Sequence, residues 1–435
     1  MENRIFCAVC CVVLSFSLLC GCGTAAPGTE DGRDGTKQQE SLDDIEGDVA
    51  ANVTEVVDAD YTTLSDSYGF IRDAGIRTFE QIYEEGENTL LSPLSVCGAL
   101  GMAAEGADGD TQAQIVRIFA DIHDSWTLNV LFNEYTGRLP QGDKYKLSMA
   151  NSVWIRDMPR LEISDIYLND RLAPFDAQVF QATFDASTLE EINGWVEENT
   201  DGMISEILNV IPQNAMMYLI NALAFDAQWE TIYRESQIRD GIFTAWDGSE
   251  QPAEMMYSQE SVYLEDEGAV GFLKYYADEK YAFVAMLPKE GIGVKDYVAS
   301  LSENPYSSIS VLLESAQDIT VNASIPKFAC SYEINLADAL RTLGMVDAFD
   351  PDRADFSVMS QTAELYVSQV LHKTYIAVDE RGTRAGAVTA VEMDRLSSLI
   401  PSEEKTVHLD RPFLYMIIDC EENVPVFIGA LDHLE

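Results

Sequence analysis

Residues 216–229 read MMYLINALAFDAQW, a long and mostly apolar run with one asparagine, Asn221, near its centre. This run predicts a long strand, and it marks the point at which the pattern along the chain changes from helical to strand-like. Further strands are predicted downstream at residues 281–287, 321–328, 364–379, 412–419 and 424–431. The second half of the chain is therefore expected to supply most of the sheets.

Upstream of this run, apolar residues recur with helical spacing, as in the set Ile71, Ala74, Thr78, Phe79 and Ile82. Ser92–Pro93 predicts the start of another helix, because proline suits the first helical position. Thr188, with Glu191 three residues later, fits a capping box and predicts a helix over residues 189–199. Helices first and strands later, without regular alternation, indicate an α+β fold rather than a doubly wound sheet.

The 435-residue chain has the composition of a globular protein, but its charge is extreme. Apolar residues make up 47% and aromatic residues 10%, which is enough to bury a core. Lys and Arg number 27 against 74 Asp and Glu, a formal net charge of −47. This charge argues against nucleic acids, heparin-like polyanions and anionic membrane surfaces as partners, because binding to each of them depends on Lys and Arg.

Metal, cofactor and disulfide chemistry are not indicated by the sequence. The four histidines are widely spaced, at positions 123, 372, 408 and 433. Five of the eight cysteines precede residue 23, and Cys97, Cys330 and Cys420 are an odd number without short spacing. We expect no metal site, no cofactor and no disulfide framework, and we expect these three cysteines to be buried.

Residues 1–21 are predicted to be a lipoprotein signal peptide. Arg4 precedes an apolar run, residues 5–19, that is too short for a comfortable membrane span. The sequence LCGC at residues 19–22 resembles the bacterial lipobox, which implies lipidation of Cys22. Cys20 is the weaker candidate, because a bulky leucine precedes it. An ordinary signal peptide is the alternative.

Residues 22–60 are predicted to be the lipidated cysteine followed by a disordered acidic tether. After Cys22 this segment has no aromatic residue, and it has eleven Asp or Glu against two Lys or Arg. It cannot bury enough apolar surface to fold, and it would span roughly 35 Å as a flexible coil. The remaining domain, residues 61–435, keeps a net charge of −38. The expected location is the bacterial cell surface, with the domain outside. A disordered tail without a role would have the same composition.

From about Tyr61 onward the chain resembles the serpin family, in thirteen short segments that occur in the family's order. These segments are LSPLS (91–95), GADGDT (106–111), ANSVW (150–154), INGWV (192–196), LINA (219–222), MM (255–256), MLP (286–288), IPKF (325–328), LGM (343–345), ADFS (354–357), VLHK (370–373), RPFL (411–414) and FIG (427–429). The chain departs from the family at Asp226, where many members carry lysine, and at Cys97, where many carry serine or alanine.

The resemblance implies a single α+β domain with three β-sheets, eight to nine helices and an exposed reactive-centre loop at about residues 380–401. Inhibitory serpins are suicide substrates. A protease attacks the loop and forms an acyl-enzyme, and the cut loop then inserts into the central sheet as a new strand and distorts the protease. The chain itself needs no catalytic residue for this reaction, so it is not expected to be an enzyme.

The loop sequence is suited to insertion, because alternate residues of a strand face opposite sides of a sheet. One parity is small or apolar throughout: Thr383, Ala385, Ala387, Thr389, Val391 and Met393. The other parity holds every charge of the stretch: Arg384, Gly386, Val388, Ala390, Glu392 and Asp394. Arg384 departs from the family's usual acidic or small residue, but its parity points outward. Gly382 is expected to supply conformational freedom, and no proline occurs in residues 380–400.

The resemblance assigns further residues to control of the sheet. Ser92, Ser95, Asn221 and His372 match a cluster beneath the centre of the central sheet that helps govern its opening. Trp229, Lys327 and Glu380 match the place where the loop first inserts, and a Lys327–Glu380 ion pair is expected there. Glu380, Gly382, Thr383, Ala385, Gly386, Ala387 and Thr389 form the hinge. Each of these polar residues could also be an ordinary, satisfied core group.

The family's spacing from Gly382 places the scissile bond at Leu396–Ser397. Leucine suits the apolar primary pocket of elastase-like and chymotrypsin-like serine proteases. Because the stretch from Ser397 to Arg411 is longer than usual, Arg395 is the main rival and would attract trypsin-like enzymes; Met393 is a weaker one.

The predicted function is inhibition of serine proteases, and cysteine proteases are possible targets as well. The expected partner is the target protease in a covalent 1:1 complex with a monomeric inhibitor. Contact with a membrane is expected only through the lipid anchor. The alternative is a non-inhibitory serpin-fold lipoprotein that acts as a binding or structural module.

Overall fold

The computed structural model describes residues 67–200, 202–303, 309, 312–313, 316–383 and 404–434. The predicted signal peptide, Cys22 and the tether lie outside the described residues. The same is true of Leu396–Ser397, the rival Arg395, and the hinge residues Ala385, Gly386, Ala387 and Thr389. Among the described residues, no helix is both long enough and apolar enough to span a membrane.

The described residues include seven α-helices: α1 Gly69–Ile82, α2 Pro93–Gly106, α3 Gly109–Val116, α4 Ser125–Arg138, α5 Ala186–Asn199, α6 Val294–Glu303 and α7 Ala337–Thr342. Residues 309 and 312–313 are also helical. The predicted start of α2 is confirmed, since Pro93 is its first residue and the Ser92 hydroxyl accepts a hydrogen bond from the Ser95 N–H (3.2 Å). This cap places Ser92 and Ser95 under the central sheet.

The predicted start of α5 is wrong. The helix begins at Ala186 rather than Leu189, and its N-cap is Asp185, whose carboxylate accepts hydrogen bonds from the N–H groups of Ser187 and Thr188. The Thr188 hydroxyl instead accepts from the Phe184 N–H at 3.0 Å. An aspartate three residues upstream caps the helix because its carboxylate reaches both free N–H groups.

The strands are β1 Thr89–Leu91, β2 Tyr145–Arg156, β3 Ala177–Ala182, β4 Met217–Gln228, β5 Ile238–Thr244, β6 Glu250–Glu265, β7 Ala269–Tyr275, β8 Tyr281–Pro288, β9 Gln317–Pro326, β10 Phe328–Asn335, β11 Val367–Val378, β12 Gly382–Thr383, β13 Glu404–His408, β14 Phe413–Asp419 and β15 Val424–Leu431. The α+β class is confirmed. The strand predicted at residues 321–328 ends at Pro326, and β10 begins after Lys327. β2 shows that the first half is less purely helical than predicted.

The strands form two hydrogen-bonded sheets. The central sheet has the order β10-β11-β12-β4-β2-β3, and the second contains β1-β15-β14-β8-β7-β6-β9-β13 with β5 paired to β6. The third sheet that the serpin resemblance implies is continuous with the second. This is because the long β6 pairs with β5 at one end and with β7 at the other, and β9 pairs along it.

Both faces of the central sheet are covered, and β4 alternates between two apolar clusters. Leu219, Leu223 and Phe225 belong to the main core between the sheets. Tyr218 and Ile220 face a smaller cluster that includes Trp195 of α5. A strand inserted beside β4 would therefore have one face in the main core, and near α5 its other face would also be covered.

Candidate functional site

The candidate site is a fork in the central sheet between β4 and β11. These two strands pair in parallel from Met217 with Val367 up to Ala222 with Lys373. Above that level the described residues show no direct pairing between them, and the short strand β12 lies between β4 and β11 instead. We call the level at which direct pairing stops the fork. It leaves the sheet closed at one end and open to a further strand at the other.

The two residues of β12 already occupy the open end of the fork. Gly382 pairs with Gln228 and Thr383 pairs with Ala227, both antiparallel to β4, and Thr383 also pairs with Val378 of β11. Thr383 is fully buried, and its hydroxyl is hydrogen-bonded to the hydroxyl of Tyr276. The first residue of the small and apolar parity therefore faces the core.

Glycine is required at position 382 for a reason different from the one predicted. A Cβ atom at this position would lie 2.0 Å from the carbonyl oxygen of Ala227. The backbone of Gly382 is not in the left-handed region, so conformational freedom is not what selects glycine here. The constraint is close approach of two backbones, which only a residue without a side chain allows.

Trp229 holds the chain just before β12. Its indole N–H donates to the carbonyl of Asp379 (2.9 Å), and its backbone N–H donates to the carbonyl of Arg381 (2.8 Å). The Tyr233 N–H donates to the carbonyl of Glu380 at 2.8 Å. The Trp229 ring is stacked on Tyr276 with centroids 4.4 Å apart. The turn before β12 is thus fixed by backbone carbonyls rather than by side chains alone.

The Lys327–Glu380 ion pair predicted from the resemblance is present, with nitrogen and oxygen 3.0 Å apart. Lys327 also approaches Glu254 at 3.6 Å. Burial opposes the charge on both partners of the 327–380 pair. The pKa of Lys327 is nevertheless raised by Glu380 and Glu254, and the pKa of Glu380 is lowered by its own backbone N–H and by Lys327. Both side chains remain partly exposed, so the pair positions the hinge and contributes little stability.

A buried polar cluster lies at the fork itself. Asn221 and His372 are directly opposite each other in the last rows of the β4–β11 ladder. The Ser92 N–H donates to Nε2 of His372 (3.3 Å), and Nδ2 of Asn221 donates to Oδ1 of Asn151 (2.6 Å). All of these groups, together with Ser95, are buried. The structure therefore brings together the four predicted residues and adds Asn151 from β2.

This cluster is not fully satisfied. Oγ of Ser95 and Oδ1 of Asn221 are buried and make no hydrogen bond in the part of the chain that the structure describes. Buried polar atoms usually have partners, and an unpaired one costs about 1–3 kcal/mol. The fork is consequently a place where an additional hydrogen-bond donor would be stabilising.

The sequence analysis missed a buried charge beneath the turn at Trp229. Lys274 is only 3% exposed, and its ammonium group lies 2.8 Å from Glu260 and 4.5 Å from the centroid of the Tyr233 ring. Burial opposes the charge on Lys274, but Glu260 and Tyr233 raise its pKa. A lysine inside the apolar strand 269–275 was the only available signal. Its partners come from tertiary contacts.

His372 should make stability depend on pH. Burial lowers its pKa from 6.5 to about 4, so the unfolded chain takes up the proton first as the pH falls. The stabilisation is complete above pH 6.5 and is lost progressively as the pH falls toward 4, by roughly 3 kcal/mol in all. We expect His372→Gln to flatten the pH dependence of urea unfolding between near pH 7 and near pH 5. His123→Gln, at an exposed position, is the matched control; equal slopes in all three proteins would contradict this prediction.

Comparisons with known proteins agree with this geometry. A family model described as Serpin (serine protease inhibitor) matches residues 71–433. The chain is 29% identical over 359 residues to a serpin-like protein of Thermococcus kodakarensis, covering 81% of this chain and 82% of that protein. It is 28% identical over 382 residues to plasminogen activator inhibitor 1 of Sus scrofa, covering 82% of this chain and 90% of that protein.

Among solved structures, the thermophilic serpin tengpin in its native state superposes with a TM-score of 0.78 at 44% sequence identity. That comparison covers 84% of this chain and 93% of tengpin. The family model spans most of the chain, and the described strands build the same fold. The protein is therefore a member of the serpin family.

Proposed function

We propose that this serpin is a suicide-substrate inhibitor of serine proteases, and that the cleaved loop inserts between β4 and β11. The observation that carries the proposal is β12, which has already started an antiparallel strand in the open end of the fork. Members of the family generally inhibit proteases in 1:1 complexes, and plasminogen activator inhibitor 1 is named for such an activity. A fork that accepts two residues of the hinge provides the start of the same reaction.

The register of β12 specifies where the rest of the loop would lie. If the pairing of Thr383 with Ala227 continues, Ala385 lies opposite Phe225 and Ala387 opposite Leu223. Small residues would then be placed beside large ones of the main core, which suits close packing. In this register every residue of the small and apolar parity would face the main core.

The same register places Thr389 at the fork. After insertion in this register it would lie opposite Asn221 on β4 and, by extension of the pairing of Thr383 with Val378, opposite His372 on β11. The Thr389 hydroxyl can donate a hydrogen bond, and Oδ1 of Asn221 is a buried acceptor without a partner among the described residues. Insertion would thus satisfy a polar group that has no hydrogen-bond partner among the described residues.

Two features determine which proteases we propose as targets: the residue before the scissile bond and the net charge of the domain. We propose Leu396–Ser397 as the scissile bond, with Arg395 as the rival, and elastase-like or chymotrypsin-like enzymes as targets. The −38 charge of residues 61–435 favours basic proteases through electrostatic steering, an effect that weakens as salt increases. Addition of salt should therefore lower the association rate more than the stability of the complex.

Inhibition is tested by incubation with elastase and denaturing gel electrophoresis. We expect a stable band at the summed mass and a released C-terminal peptide that begins at Ser397. A peptide that begins at Leu396 would identify Arg395 instead. Ala387→Arg should abolish the complex and leave only cleavage, because a charge would have to enter the core. Ala387→Ser, which keeps the side chain small and uncharged, is the matched control and should still form the complex.

Two outcomes contradict the proposal. Clean cleavage of the wild-type protein without a complex, by every serine protease that cuts the loop, would favour the non-inhibitory alternative. Full inhibition by Ala387→Arg would show that the inward face of the loop has been assigned wrongly.

Two departures from the family pattern face each other in this register. Arg384 would lie opposite Asp226 of β4, on the outward face, and Asp226 is itself paired with Lys146 of β2. Many members of the family carry lysine at this position of β4, and an acidic residue in their loop would form a favourable charge pair with it. Here both signs are reversed. Opposite charges in directly opposed strand positions contribute roughly 0.2–1 kcal/mol.

A double-mutant cycle tests this pairing. Arg384→Glu alone and Asp226→Lys alone each put like charges opposite one another, and we expect each to increase the number of inhibitor molecules consumed per protease trapped. The combination should recover much of the loss. Additive effects in the cycle would mean that the two residues do not meet, and the register would be wrong.

We further propose that the domain is anchored through lipidated Cys22 at the bacterial cell surface. The support is the LCGC sequence at residues 19–22, followed by an acidic segment without aromatic residues. Metabolic labelling with a radioactive fatty acid should mark the wild-type protein, and Cys22→Ala should lose the label. If Cys22→Ala keeps the label and Cys20→Ala loses it, the lipidated residue is Cys20. Absence of label in the wild type would disprove lipid anchoring.

A further inference from the structure

At the closed end of the β4–β11 ladder, two side-chain hydrogen bonds supplement the strand pairing, which starts at Met217 and Val367. The hydroxyl of Tyr366, the residue before β11, donates to the carbonyl of Asn214 at 2.6 Å. The hydroxyl of Ser368 accepts from the N–H of Met216 at 2.7 Å. Ser368 is the extra residue of a β-bulge between Val367 and Gln369. We call these two hydrogen bonds the clasp.

The segment before β4 is fixed on its other side by Arg156, at the end of β2. The Arg156 N–H donates to the carbonyl of Met216 (2.8 Å), and its Nε and Nη2 donate to the carbonyls of Ala215 (2.6 Å) and Gln213 (3.1 Å). β4 and β2 also pair along their whole length. The start of β4 is thus held firmly to β2. A new strand can therefore enter only between β4 and β11, on the side of the clasp.

A pocket that is open to solvent lies at the side where separation would occur. A cavity of about 280 Å³ lies beside the clasp and is lined by Asn214, Ala215, Tyr366, Ser368, Phe349 and Arg341, among others. Gln369, next to the bulge, has a buried Oε1 without a hydrogen-bond partner among the described residues. Few side chains cover the clasp on this side, and a buried polar atom beside it is unsatisfied, so strand separation here would disrupt little packing.

We propose that Tyr366 and Ser368 are positioning residues that set the rate of the last step of strand insertion. The inference rests on the proposed function, because it assumes that a strand enters between β4 and β11. If the register set by β12 continues, Met393 would lie opposite Met217, the first residue of β4, and residues 394–396 would reach the clasp. A strand of that length must break both hydrogen bonds of the clasp.

The clasp therefore has one effect that favours inhibition and one that opposes it. In the uncut protein it opposes spontaneous insertion, and after cleavage it delays the final movement of the attached protease. Removal of one clasp bond should accelerate spontaneous insertion about five-fold, because it removes one net hydrogen bond from the uninserted state. Ser368→Ala should have the larger effect, since its bond is less exposed than that of Tyr366 and its loss leaves the Met216 N–H unpaired.

The test needs no protease. Wild type, Ser368→Ala, Tyr366→Phe and the double variant are incubated with a synthetic peptide of residues 383–396, which is long enough in this register to reach Asn214, and annealing is followed on native gels. Tyr332→Phe is the matched control, because its hydroxyl donates to the carbonyl of Ile82 from β10, away from the clasp. Urea unfolding of each protein shows whether a faster rate reflects general destabilisation. We expect faster annealing in the three clasp variants and an unchanged rate in Tyr332→Phe.

The outcomes separate this inference from the proposed function. If the wild type anneals the peptide and the clasp variants anneal it at the same rate, the clasp has no role and the inference is overturned. If the annealing rate increases in proportion to the loss of stability to urea in every variant, including Tyr332→Phe, the effect is not specific to the clasp. The inference then also fails. If no protein anneals the peptide or traps a protease, insertion itself is disproved, and the proposed function fails with it.

Discussion

The rest of the structure depends on a parallel ladder that stops halfway. β4 and β11 pair from Met217 to Ala222, and beyond that row only β12 lies between them among the described residues; we call this separation of the two strands the gap. Backbone N–H and C=O groups at the edges of such a gap need partners, and a further strand can supply them along its whole length. The two residues of β12 supply the first of these partners, and the remaining edge is the driving force for the reaction that we propose.

Three sets of contacts lie at different positions along β4 and β11. Trp229 and Lys327 fix the turn before β12 at the open end, the Asn221–His372 cluster lies at the fork, and the clasp holds the closed end. Each set includes hydrogen bonds or a partly exposed ion pair, and at Trp229 the ring is also stacked on Tyr276. Such interactions contribute about 1 kcal/mol each, so they hold the uninserted state without making it irreversible. A metastable inhibitor needs this balance, since it must wait for a protease and then react within the lifetime of an acyl-enzyme.

The sequence predicted features that depend on local pattern or on alternation. The long strand at residues 216–229, the cap at Ser92 and the inward position of Thr383 need only the strand period or a nearby N–H group. It did not predict Asn151 or Tyr276, because their partners are distant in sequence. The start of α5 was misplaced because Thr188 and Asp185 are both good caps, and only the backbone position decides which side chain reaches the free N–H groups. The fusion of two expected sheets follows from the length of β6, which spans both.

The close approach of Gly382 to the Ala227 carbonyl implies that strand insertion and the choice of target protease depend on different residues. The bond at which we propose cleavage, Leu396–Ser397, is many positions downstream in sequence, whereas a Cβ atom at position 382 would clash with the Ala227 carbonyl. A related protein could therefore change its target by substitutions near the scissile bond while the same scaffold continues to trap enzymes. Conversely, a relative with an ideal recognition residue and a bulky one at the position of Gly382 would be a good substrate and a poor inhibitor. For classification of uncharacterised members of this family, the glycine is more informative about inhibition than the residue that is cut.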